Sequence, residues 1–411
     1  MHTEYKTAFL DRDPSAVTEL ADGGFAADTE VMTVTGPTTI SELSRDDSVL
    51  ALSPTTGILK PKAVVRVEPV ADTDRTIAIE TRRSDLRVAP DHRIVYATKA
   101  DSTPRFIRAC DLDERYDYRF LNDWRFRSGS HLDDIDVTEF VDEYEICAAT
   151  ADHGHTFRAA LPDGCVPSRR NSHAGYYFDP ETFKEFQAAI EATADETTIH
   201  TGPKCWRRPY RFDGDDFIEF LGWFISEGSV YWQSTSDTAE VKLAQKTDEH
   251  RSAIKDLFER MGITVNESNS GFSFSSTLYG ELFEALCGTE SKKKRIPRFI
   301  WDCSLDQKRL LLETLLAGDG SQRRTYFTAS DELASDVLRL MLELGMKPRY
   351  TRRDSCWQIY MRTTNDGFQS SEHVSSAAAD GPLYQLTIRD FSLVMAGRNG
   401  KFQWVGVSNV A

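Results

Sequence analysis

The hydrophobic pattern divides the chain into two kinds of segment. From about Ala26 to Thr150, short runs rich in Val, Ile and Thr alternate with turn residues, and no long helical period interrupts them. Such runs predict β-strands. The same pattern returns near the end of the chain in LYQLTIRD, FSLVMAG and KFQWVGV. The sequence therefore predicts an all-β region that is split in two, with another unit inserted between its parts.

The segment from about Asp215 to Thr363 mixes helical periods with short strands and contains a repeat. FLGWFISEGS (220–229) matches LLETLLAGDGS (311–321), because each is an apolar, helix-like run that ends in one carboxylate followed by Gly. Two copies are too few to stack as a solenoid. We therefore expect one α-β-β-α-like unit that is present twice in a pseudo-twofold arrangement, and an α+β fold class for the whole chain.

A second pair of helical segments supports the repeat. KTDEHRSAIKDLFERMGIT resembles TASDELASDVLRLMLELGMK, with Asp248 matching Asp331 and Gly262 matching Gly345 at an offset of 83 residues (331−248; 345−262). The two carboxylates are 92 residues apart (319−227). The difference of nine corresponds to a longer strand-and-turn stretch, VYWQSTSDTAEVKLAQK, in the first copy.

The first helix of each copy has recognisable start signals. Ser304 and Gln307 form a capping-box start in the second copy, and Leu residues follow at helical spacing. In the first copy, Asp216 and Glu219 are expected to take the same opening role.

Glu227 and Asp319 occupy the last turns of these two helices, directly before Gly228 and Gly320. A carboxylate at this end opposes the helix macrodipole, which costs roughly 0.3–1 kcal/mol unless a cation or a function compensates. Two such placements at matching repeat positions indicate a functional site.

Small residues along both helices allow a close approach: Gly222, Ser226, Thr314 and Gly318. If the helices pack face to face, the two acids converge at one end. Two carboxylates without a basic partner repel each other, and a divalent cation with oxygen ligands relieves the repulsion. Metal ions between two acids and a phosphate recur in phosphodiester hydrolysis.

These segments resemble the paired signature motifs of the LAGLIDADG homing endonucleases, in the double-motif, single-chain form found inside inteins. The resemblance covers about residues 205–363 and implies two αββαββα-like units. It implies that Glu227 and Asp319 are catalytic acids that bind Mg²⁺ or Mn²⁺, with Gly228 and Gly318 beside the metal.

Further residues follow from the same resemblance. KKKRIPRFIW (292–301) is similar to the block between the two motifs, which implies that one lysine of 292–294 helps to position water. The sequence alone does not choose among them, and Lys294 is our candidate. Gln245 and Lys246 match a polar position bordering the site. Thr314 departs from the motif, which usually has Gly or Ala there.

Nucleic-acid contact must come from local basic clusters, because the chain as a whole is acidic. Asp and Glu number 65 against 49 Lys and Arg, for a net charge of −16. Antiparallel strands can enter the major groove, so two sheets could read a long target. The resemblance implies a monomer on a long, asymmetric double-stranded DNA target. The expected contacts are Lys292, Lys293, Arg295, Arg298, Arg207, Arg208, Arg211, Lys347, Arg349, Arg352 and Arg353.

The flanking β segments resemble the Hint (splicing) domain of inteins. GFAADTEVMT (24–33), APDHRIVY (89–96) and YQLTIRDFSLVMAG with VGVSN (384–409) are similar to its blocks. The resemblance assigns the first nucleophile position to Gly24 and the downstream one to Val410. Gly and Val side chains cannot attack a carbonyl, so we expect no splicing.

The remaining splicing positions are mixed. His92 matches the histidine that polarises the first scissile amide, and Asn409 matches the asparagine that cyclises. Ala89 replaces the assisting Thr, and Ser392 and Ser408 replace two His residues. We therefore expect these positions to be vestiges, and His92 to be an ordinary buried histidine of a β domain.

The predicted boundaries combine both resemblances. Within the region before the repeat, Asp179-Pro180 and the spacing of DPETFKEFQAAIEATA predict a helix. The expected regions are an N-terminal extension (1–23), the first β part (24–150), a linker or accessory DNA-contact region (151–204), the endonuclease region (205–363), a second linker (364–380) and the closing β part (381–411).

The composition indicates in which cellular compartment the protein is expected. No apolar run approaches the roughly 18 residues that a membrane helix needs, and the N-terminus is too charged for a signal peptide. Seven scattered cysteines without a CxxC pair argue against a disulfide scaffold and a structural zinc site. We expect a cytoplasmic, prokaryotic protein, and the dispersed acidic residues favour a high-salt archaeal host.

The sequence thus predicts a splicing-defective, intein-derived endonuclease. Three alternatives stay open: a nucleic-acid-binding module that has lost cleavage, a working intein or Hint autoprocessing protein, and an acidic structural protein with a fortuitous repeat.

Overall fold

The computed structural model describes residues 23–70, 74–98, 101–113, 117–126, 129–151, 154–171, 175–200, 208–234, 238–321, 325–361 and 367–410. The expected N-terminal extension, apart from Gly23, lies outside these residues, as does Arg207.

The chain divides into two compact units. The split unit comprises Met1–Gly129 with Gly320–Ala411, and the inserted unit comprises Ser130–Asp319. The second division falls inside the predicted endonuclease region, directly after the second acid. The strands and second helix of the second copy therefore belong to the split unit.

The first part of the split unit is built from strands only, apart from short 3₁₀ turns, among its described residues. These strands are β1 (Phe25–Ala26), β2 (Glu30–Thr33), β3 (Gly36–Thr39), β4 (Ser48–Leu52), β5 (Ile58–Val70), β6 (Arg75–Glu80), β7 (Asp85–Val88), β8 (Arg93–Tyr96), β9 (Arg105–Arg108), β10 (Asp117–Arg119) and β11 (Arg125–Phe126).

The inserted unit alternates helices and strands. Its elements are β12 (Asp134–Asp136), β13 (Glu145–Ala149), α1 (Gly154–Ala160), β14 (Arg169–Asn171), β15 (Gly175–Phe178), α2 (Pro180–Thr193), β16 (Glu196–His200), β17 (Arg211–Asp213), α3 (Gly214–Glu227), β18 (Gly228–Gln233), β19 (Thr238–Ala244), α4 (Asp248–Arg260), β20 (Asn266–Ser268), β21 (Gly271–Ser275), α5 (Thr277–Cys287) and α6 (Leu305–Asp319).

The second part of the split unit begins with the rest of the repeat and ends in strands. Its elements are β22 (Thr325–Thr328), α7 (Asp331–Glu343), β23 (Tyr350–Arg353), β24 (Cys356–Tyr360), β25 (Gly367–Gln369), α8 (Ser370–His373), β26 (Val374–Ala378), β27 (Leu383–Arg389), β28 (Leu393–Arg398), β29 (Lys401–Gly406) and β30 (Ser408–Val410).

One large, curled sheet joins both parts of the split unit, as the split β pattern predicts. Its main strand order is β26-β6-β7-β1-β27-β5-β4-β2-β28-β29. Strand β27 pairs with β1 and β5 from the first part and, in parallel, with β30. The core between its faces is apolar and fully buried, with Val31, Val49, Leu86, Ile388 and Val394 at its centre. The mixed α+β class is confirmed.

The first repeat copy has the expected order αββαββα, from α3 to α5, with a sheet ordered β18-β19-β21-β20. The second copy reads αβαββ in its described residues, with a sheet ordered β22-β24-β23. Gly320 also forms an isolated antiparallel bridge with Tyr326. The described residues thus contain the full expected order for the first copy only. The nine-residue difference falls between the first helix and α7, where the second copy has no full hairpin among the residues described.

Two expected linkers are folded. Residues 145–200 form a sheet ordered β14-β15-β13-β16 that α2 packs against, and α2 starts as predicted with Asp179 as its N-cap. Within 364–380, β26 pairs with β6 over five residues. The linker assignment failed there because β26 is an edge strand whose side chains are mostly exposed, so its Ser/Ala composition carries no hydrophobic pattern.

The helices in the described ranges are all too short or too polar to cross a membrane.

Candidate active site

The site begins with the two helices that carry the acids. The N-cap of α3 is Asp213, whose side chain accepts hydrogen bonds from the amides of Asp215 and Asp216. Asp216 and Glu219 were expected to cap this helix, and this was wrong, because both carboxylates bind Arg260 at 2.8 and 2.9 Å. In α6, Ser304 Oγ accepts from the Gln307 amide at 3.3 Å, as the capping box predicts.

Small side chains bring α3 and α6 into close contact, as predicted. A Cβ placed on Gly222 would lie 2.7 Å from Thr314 Cβ, and one on Gly318 would lie 2.4 Å from Ser226 Cβ. Ser226 Oγ also donates to Leu315 O at 3.3 Å. Real carbon atoms do not approach this closely, so both glycines are required for the helix contact. Thr314 is accommodated because Gly222 faces it.

Both helices end at their acids. Glu227 is the last residue of α3 and Asp319 the last of α6. The chain leaves α3 through Gly228, where a Cβ would lie 2.4 Å from Phe224 O. Glu227 Cγ lies 3.5 Å from the position of a Cβ on Gly318, the neighbour of Asp319. The helix contact therefore brings the two carboxylates together.

The carboxylates repel each other in a half-buried environment. Burial and, to a smaller extent, the charge of Glu227 raise the pKa of Asp319 to about 7, against the opposing charge of Lys294. Burial also raises the pKa of Glu227 above its usual range. Their arrangement favours a proton or a cation between them.

Lys294 is the lysine of its run that lies in the site. Its side chain is 5% exposed, and Nζ donates to Phe224 O at 2.8 Å and to Gly228 O at 2.9 Å. These carbonyls belong to the C-terminal end of α3, so the lysine compensates the negative end of that helix. Burial lowers the pKa of Lys294 to about 8, against the charges of Cys287 and Asp319, which raise it.

Gln245 and Lys246 lie beside the end of α3. Gly228 pairs with Leu243 across β18 and β19, so the residues after β19 continue past the end of that helix. The Gln245 side chain is buried and its Oε1 accepts from the amides of Lys246 and Thr247, both at 2.9 Å. Gln245 thus shapes the turn into α4, and Lys246 is exposed.

The oxygen donors of a metal site are few. Among the residues that the structure describes, no group of three or more His, Cys, Asp or Glu side chains is arranged to hold a metal. Glu227 and Asp319 supply two carboxylates. The Gly228 carbonyl already accepts a hydrogen bond from Lys294 but has a second lone pair, and Gly318 contributes close packing.

The predicted DNA-contact residues fall into two groups. Several are exposed on the surface of their own unit: Lys292, Lys293, Arg298, Arg352 and Arg353. Lys293 binds Glu290 at 2.7 Å, and Arg352 binds Asp331 at 2.9 Å, so both charges are partly neutralised.

The other predicted contacts bind groups of the protein itself. Arg208 is buried and donates to Thr264 O and Ser275 O, and Arg211 binds Asp134, Asp136 and Glu191. Arg295 donates to the end of α5, Lys347 donates to Ser84 Oγ at 2.9 Å, and Arg349 lies over the Tyr360 ring. The DNA assignment was wrong for Arg208, because a buried guanidinium with carbonyl acceptors cannot reach a phosphate.

The outer face of the first-copy sheet was not singled out from the sequence. Ser229, Tyr231, Lys242 and Asn266 are exposed on neighbouring strands, and Ser229 is in register with Lys242. Tyr231 is 61% exposed, and Lys242 Nζ lies 5.7 Å from its ring centroid. The alternation in GSVYWQ is the sequence signal that could have identified this polar face.

The positions that the sequence assigns to splicing vestiges lie in the split unit. His92 is fully buried, and Nδ1 donates to Gly23 O at 2.5 Å, on the peptide bond that precedes Gly24. Burial lowers the pKa of His92 to about 4. The histidine therefore contacts the bond that its motif position implies.

The splicing positions near the end of the chain form ordinary hydrogen bonds. Ser408 Oγ accepts from Gln385 Nε2 at 2.9 Å, and Asn409 Nδ2 donates to Asp390 O at 3.1 Å. Ser392 is buried, and its carbonyl accepts from the Val407 amide at 2.9 Å.

The curated relatives of this chain are much longer proteins, and no family model matches it. The chain is 26% identical over 162 residues to a DNA polymerase of Thermococcus hydrothermalis, covering 38% of this chain and 10% of the polymerase. It is 28% identical over 165 residues to a DNA polymerase of Thermococcus aggregans (38% and 9%). It is 38% identical over 85 residues to a DNA gyrase subunit of Mycobacterium gordonae (19% and 16%). The chain thus matches only a small part of each relative.

Similar solved structures are inteins and intein-like domains. An AceL NrdHF class 3 split intein matches with a TM-score of 0.22 and 23% identity, over 24% of this chain and 63% of that one. A bacterial intein-like domain from Clostridium thermocellum matches with a TM-score of 0.20 and 22% identity (24% and 66%). A DnaB intein from Synechocystis sp. PCC 6803 matches with a TM-score of 0.20 and 17% identity (24% and 69%).

Proposed function

We propose that this chain is a metal-dependent, site-specific double-strand DNA endonuclease of the LAGLIDADG type, carried on an intein-like β region that does not splice. One observation carries the proposal. Helices α3 and α6 pack closely through small residues and end together at Glu227 and Asp319, beside the buried Lys294.

The two acids suit a Mg²⁺ or Mn²⁺ ion. The charge of Glu227 raises the pKa of Asp319, and Lys294 offsets only part of the rise. Mg²⁺ commonly binds one or two protein carboxylates and completes its shell with water and substrate phosphate oxygens, so two acids suffice. When bound, the ion would polarise a phosphoryl oxygen and stabilise the leaving oxygen.

The protein residues have separate roles in this proposal. Glu227 and Asp319 bind the ion and fix its place at the ends of their helices. Lys294 holds the C-terminal end of α3 through Phe224 O and Gly228 O. Its pKa of about 8 suits it to exchange a proton with the attacking water near neutral pH. Lys246 is exposed beside the same helix end and can contact a phosphate.

The outer face of the first-copy sheet is suited to enter the major groove of a DNA duplex. Its exposed Ser, Tyr, Lys and Asn side chains offer hydrogen-bond donors and acceptors on an antiparallel sheet. The exposed Lys292 and Arg298 of the same unit supply charges for phosphate contact.

The relatives support an intein-like origin. Segments of this chain match two different kinds of protein, DNA polymerases and DNA gyrase subunits. Each match covers only a small part of the relative. A mobile insert carried by unrelated host proteins gives this distribution. The Hint-like blocks of the sequence agree with that origin.

A working intein is the second candidate, and one contact favours it: His92 donates to the carbonyl that precedes Gly24. Splicing nevertheless needs a side-chain nucleophile at Gly24, which glycine lacks. We expect no ligated product when the chain is expressed between two reporter segments. A ligated product on a gel would favour this candidate instead.

The proposal is tested with the DNA that flanks this reading frame. The two flanks are joined without the insert and placed in a supercoiled plasmid, with a plasmid carrying the scrambled junction as control. We expect a linear product with Mg²⁺ and none with EDTA or the scrambled junction. Specific binding of the junction without any cleavage, at every salt concentration tried, would favour the cleavage-dead DNA-binding module.

A further inference from the structure

The surface of helix α7 can be compared with that of its counterpart in the first repeat copy. At the offset of 83 residues, α7 aligns with α4, and both share one apolar face. At two further positions α7 has Leu338 and Leu342 where α4 has Lys255 and Glu259. Both leucines are fully buried, whereas Lys255 and Glu259 are exposed. A helix that is apolar on two faces packs against partners on both sides.

The second face of α7 meets the β region of the split unit. A Cβ on Gly36, at the start of β3, would lie 2.2 Å from Ser335 Oγ. Arg339 Nη1 donates to Val34 O at 3.2 Å, and helical spacing places Leu338 and Leu342 along the same side as Ser335. The matched residue in α4, Ser252, is exposed.

Buried polar groups fix this contact. Arg339 and Glu343 form an ion pair at 2.9 Å, with side chains 14% and 0% exposed. Trp124 Nε1, from the end of the first β part, donates to Leu342 O at 2.8 Å. A buried charge pair is costly unless further hydrogen bonds satisfy its groups, and the Val34 carbonyl of the β region accepts one of these bonds from Arg339.

The strands of the second copy are joined to the same region. The Tyr350 amide donates to Gly400 O at 2.9 Å, its hydroxyl donates to the Glu30 carboxylate, and that carboxylate also accepts from the Gly400 amide at 3.2 Å. Gly400 has φ of +67°, and a Cβ there would lie 2.4 Å from Tyr350 O. The turn between β28 and β29 is thus shaped to receive the start of β23.

The second copy also differs from the first in what covers its sheet. In the first copy, α5 packs on β18 and β19. After β24, the described chain resumes at β25, which pairs with β10 of the first β part. Among the described residues of 367–410, no helix takes the place of α5, since α8 is only four residues long.

We infer that the β region has kept a structural role after losing its splicing nucleophiles: it is the folding partner that completes the second repeat copy. This role concerns packing within the split unit and does not depend on the proposed cleavage.

Hydrogen exchange of the full-length protein tests the inference with a matched pair of variants. Leu338→Ala should accelerate exchange about 10- to 100-fold in peptides from α7 and, to the same extent, in peptides from β2 and β3. Lys255→Ala, at the aligned position of α4, should change neither. Acceleration confined to α7, or equal effects of the two variants, would overturn the inference.

A milder variant covers the case in which Leu338→Ala does not fold. Tyr350→Phe removes only the hydroxyl that binds Glu30, so the protein should retain its fold. We expect faster exchange in β23 together with the turn between β28 and β29, and no change in peptides from α3 and α4. Exchange that rises in β23 without the turn would contradict the inference.

Discussion

His92 is held neutral by its surroundings. It is completely buried, contacts the Phe25 ring edge-on at 4.4 Å between centroids, and donates to Gly23 O. Burial lowers its pKa from 6.5 to about 4. Between these two pH values the unfolded chain binds a proton at this residue and the folded protein does not.

The stability of the protein should therefore depend on His92 in acid. The neutral, buried His92 contributes fully to the free energy of unfolding above pH 6.5. This contribution falls by about 3 kcal/mol as the pH decreases towards 4. His92→Gln should flatten the pH dependence in this window by that amount, as measured by urea unfolding at several pH values. The exposed His131→Gln serves as control, and wild-type and His92→Gln curves that stay parallel would refute the prediction.

The sequence singles out residues of the candidate site where an unfavourable placement is repeated. Glu227 and Asp319 stand out because carboxylates at helix C-termini are unfavourable and occur twice at matching positions. The choice of Lys294 over Lys292 and Lys293 depends on which side chain reaches the end of α3, and no sequence pattern contains that information. Arg208 was misassigned for the same reason, since a cluster of basic residues in the sequence does not show which of their side chains are buried.

At the scale of elements, the contact between α3 and α6 is the feature on which the site depends. Gly222 faces Thr314, and Gly318 faces Ser226, so each contact pairs a glycine with a small side chain. The helices approach closely enough for their terminal acids to interact. Larger residues at these positions would push the two helices apart.

Gly318→Ala should destabilise the protein even though alanine favours helices. Its Cβ would lie 2.4 Å from Ser226 Cβ, so the helices must separate, at a cost of about 1–3 kcal/mol. Ser226→Gly removes the opposing atom, and the double variant should recover at least about 1 kcal/mol relative to the sum of the single changes. Chemical unfolding of the four proteins measures this coupling, and simple additivity would contradict the close contact.

Elements with a strong period could be predicted, and those without one could not. Helix α2 begins at Pro180 behind Asp179, as its signals predict, and α4 and α7 both begin at their matched Asp residues. Strand β26 was missed because hydrogen bonds to β6 hold it, and its exposed Ser and Ala side chains have no period. An edge strand that is held by backbone hydrogen bonds needs no particular amino-acid composition, so its sequence does not identify it.

At the scale of the whole molecule, the repeat and the β region are not separate along the chain. The split β pattern predicts the large sheet correctly, but α7 and β22–β24 join the split unit after Asp319. The extra apolar positions of α7 were present in the sequence. Their meaning depends on a partner that lies about 300 residues away, such as Val34 for Arg339, which local patterns cannot identify.

We propose that Glu227, Asp319 and Lys294 together carry out DNA cleavage. This claim is tested most directly by single-turnover cleavage of the insert-free junction with Glu227→Gln, Asp319→Asn and Lys294→Met. The matched controls on the same helices are Glu219→Gln and Asp306→Asn. We predict that each of the three variants loses on the order of 1000-fold in rate while both controls cut normally. Wild-type cleavage by Glu227→Gln and Asp319→Asn would contradict the claim.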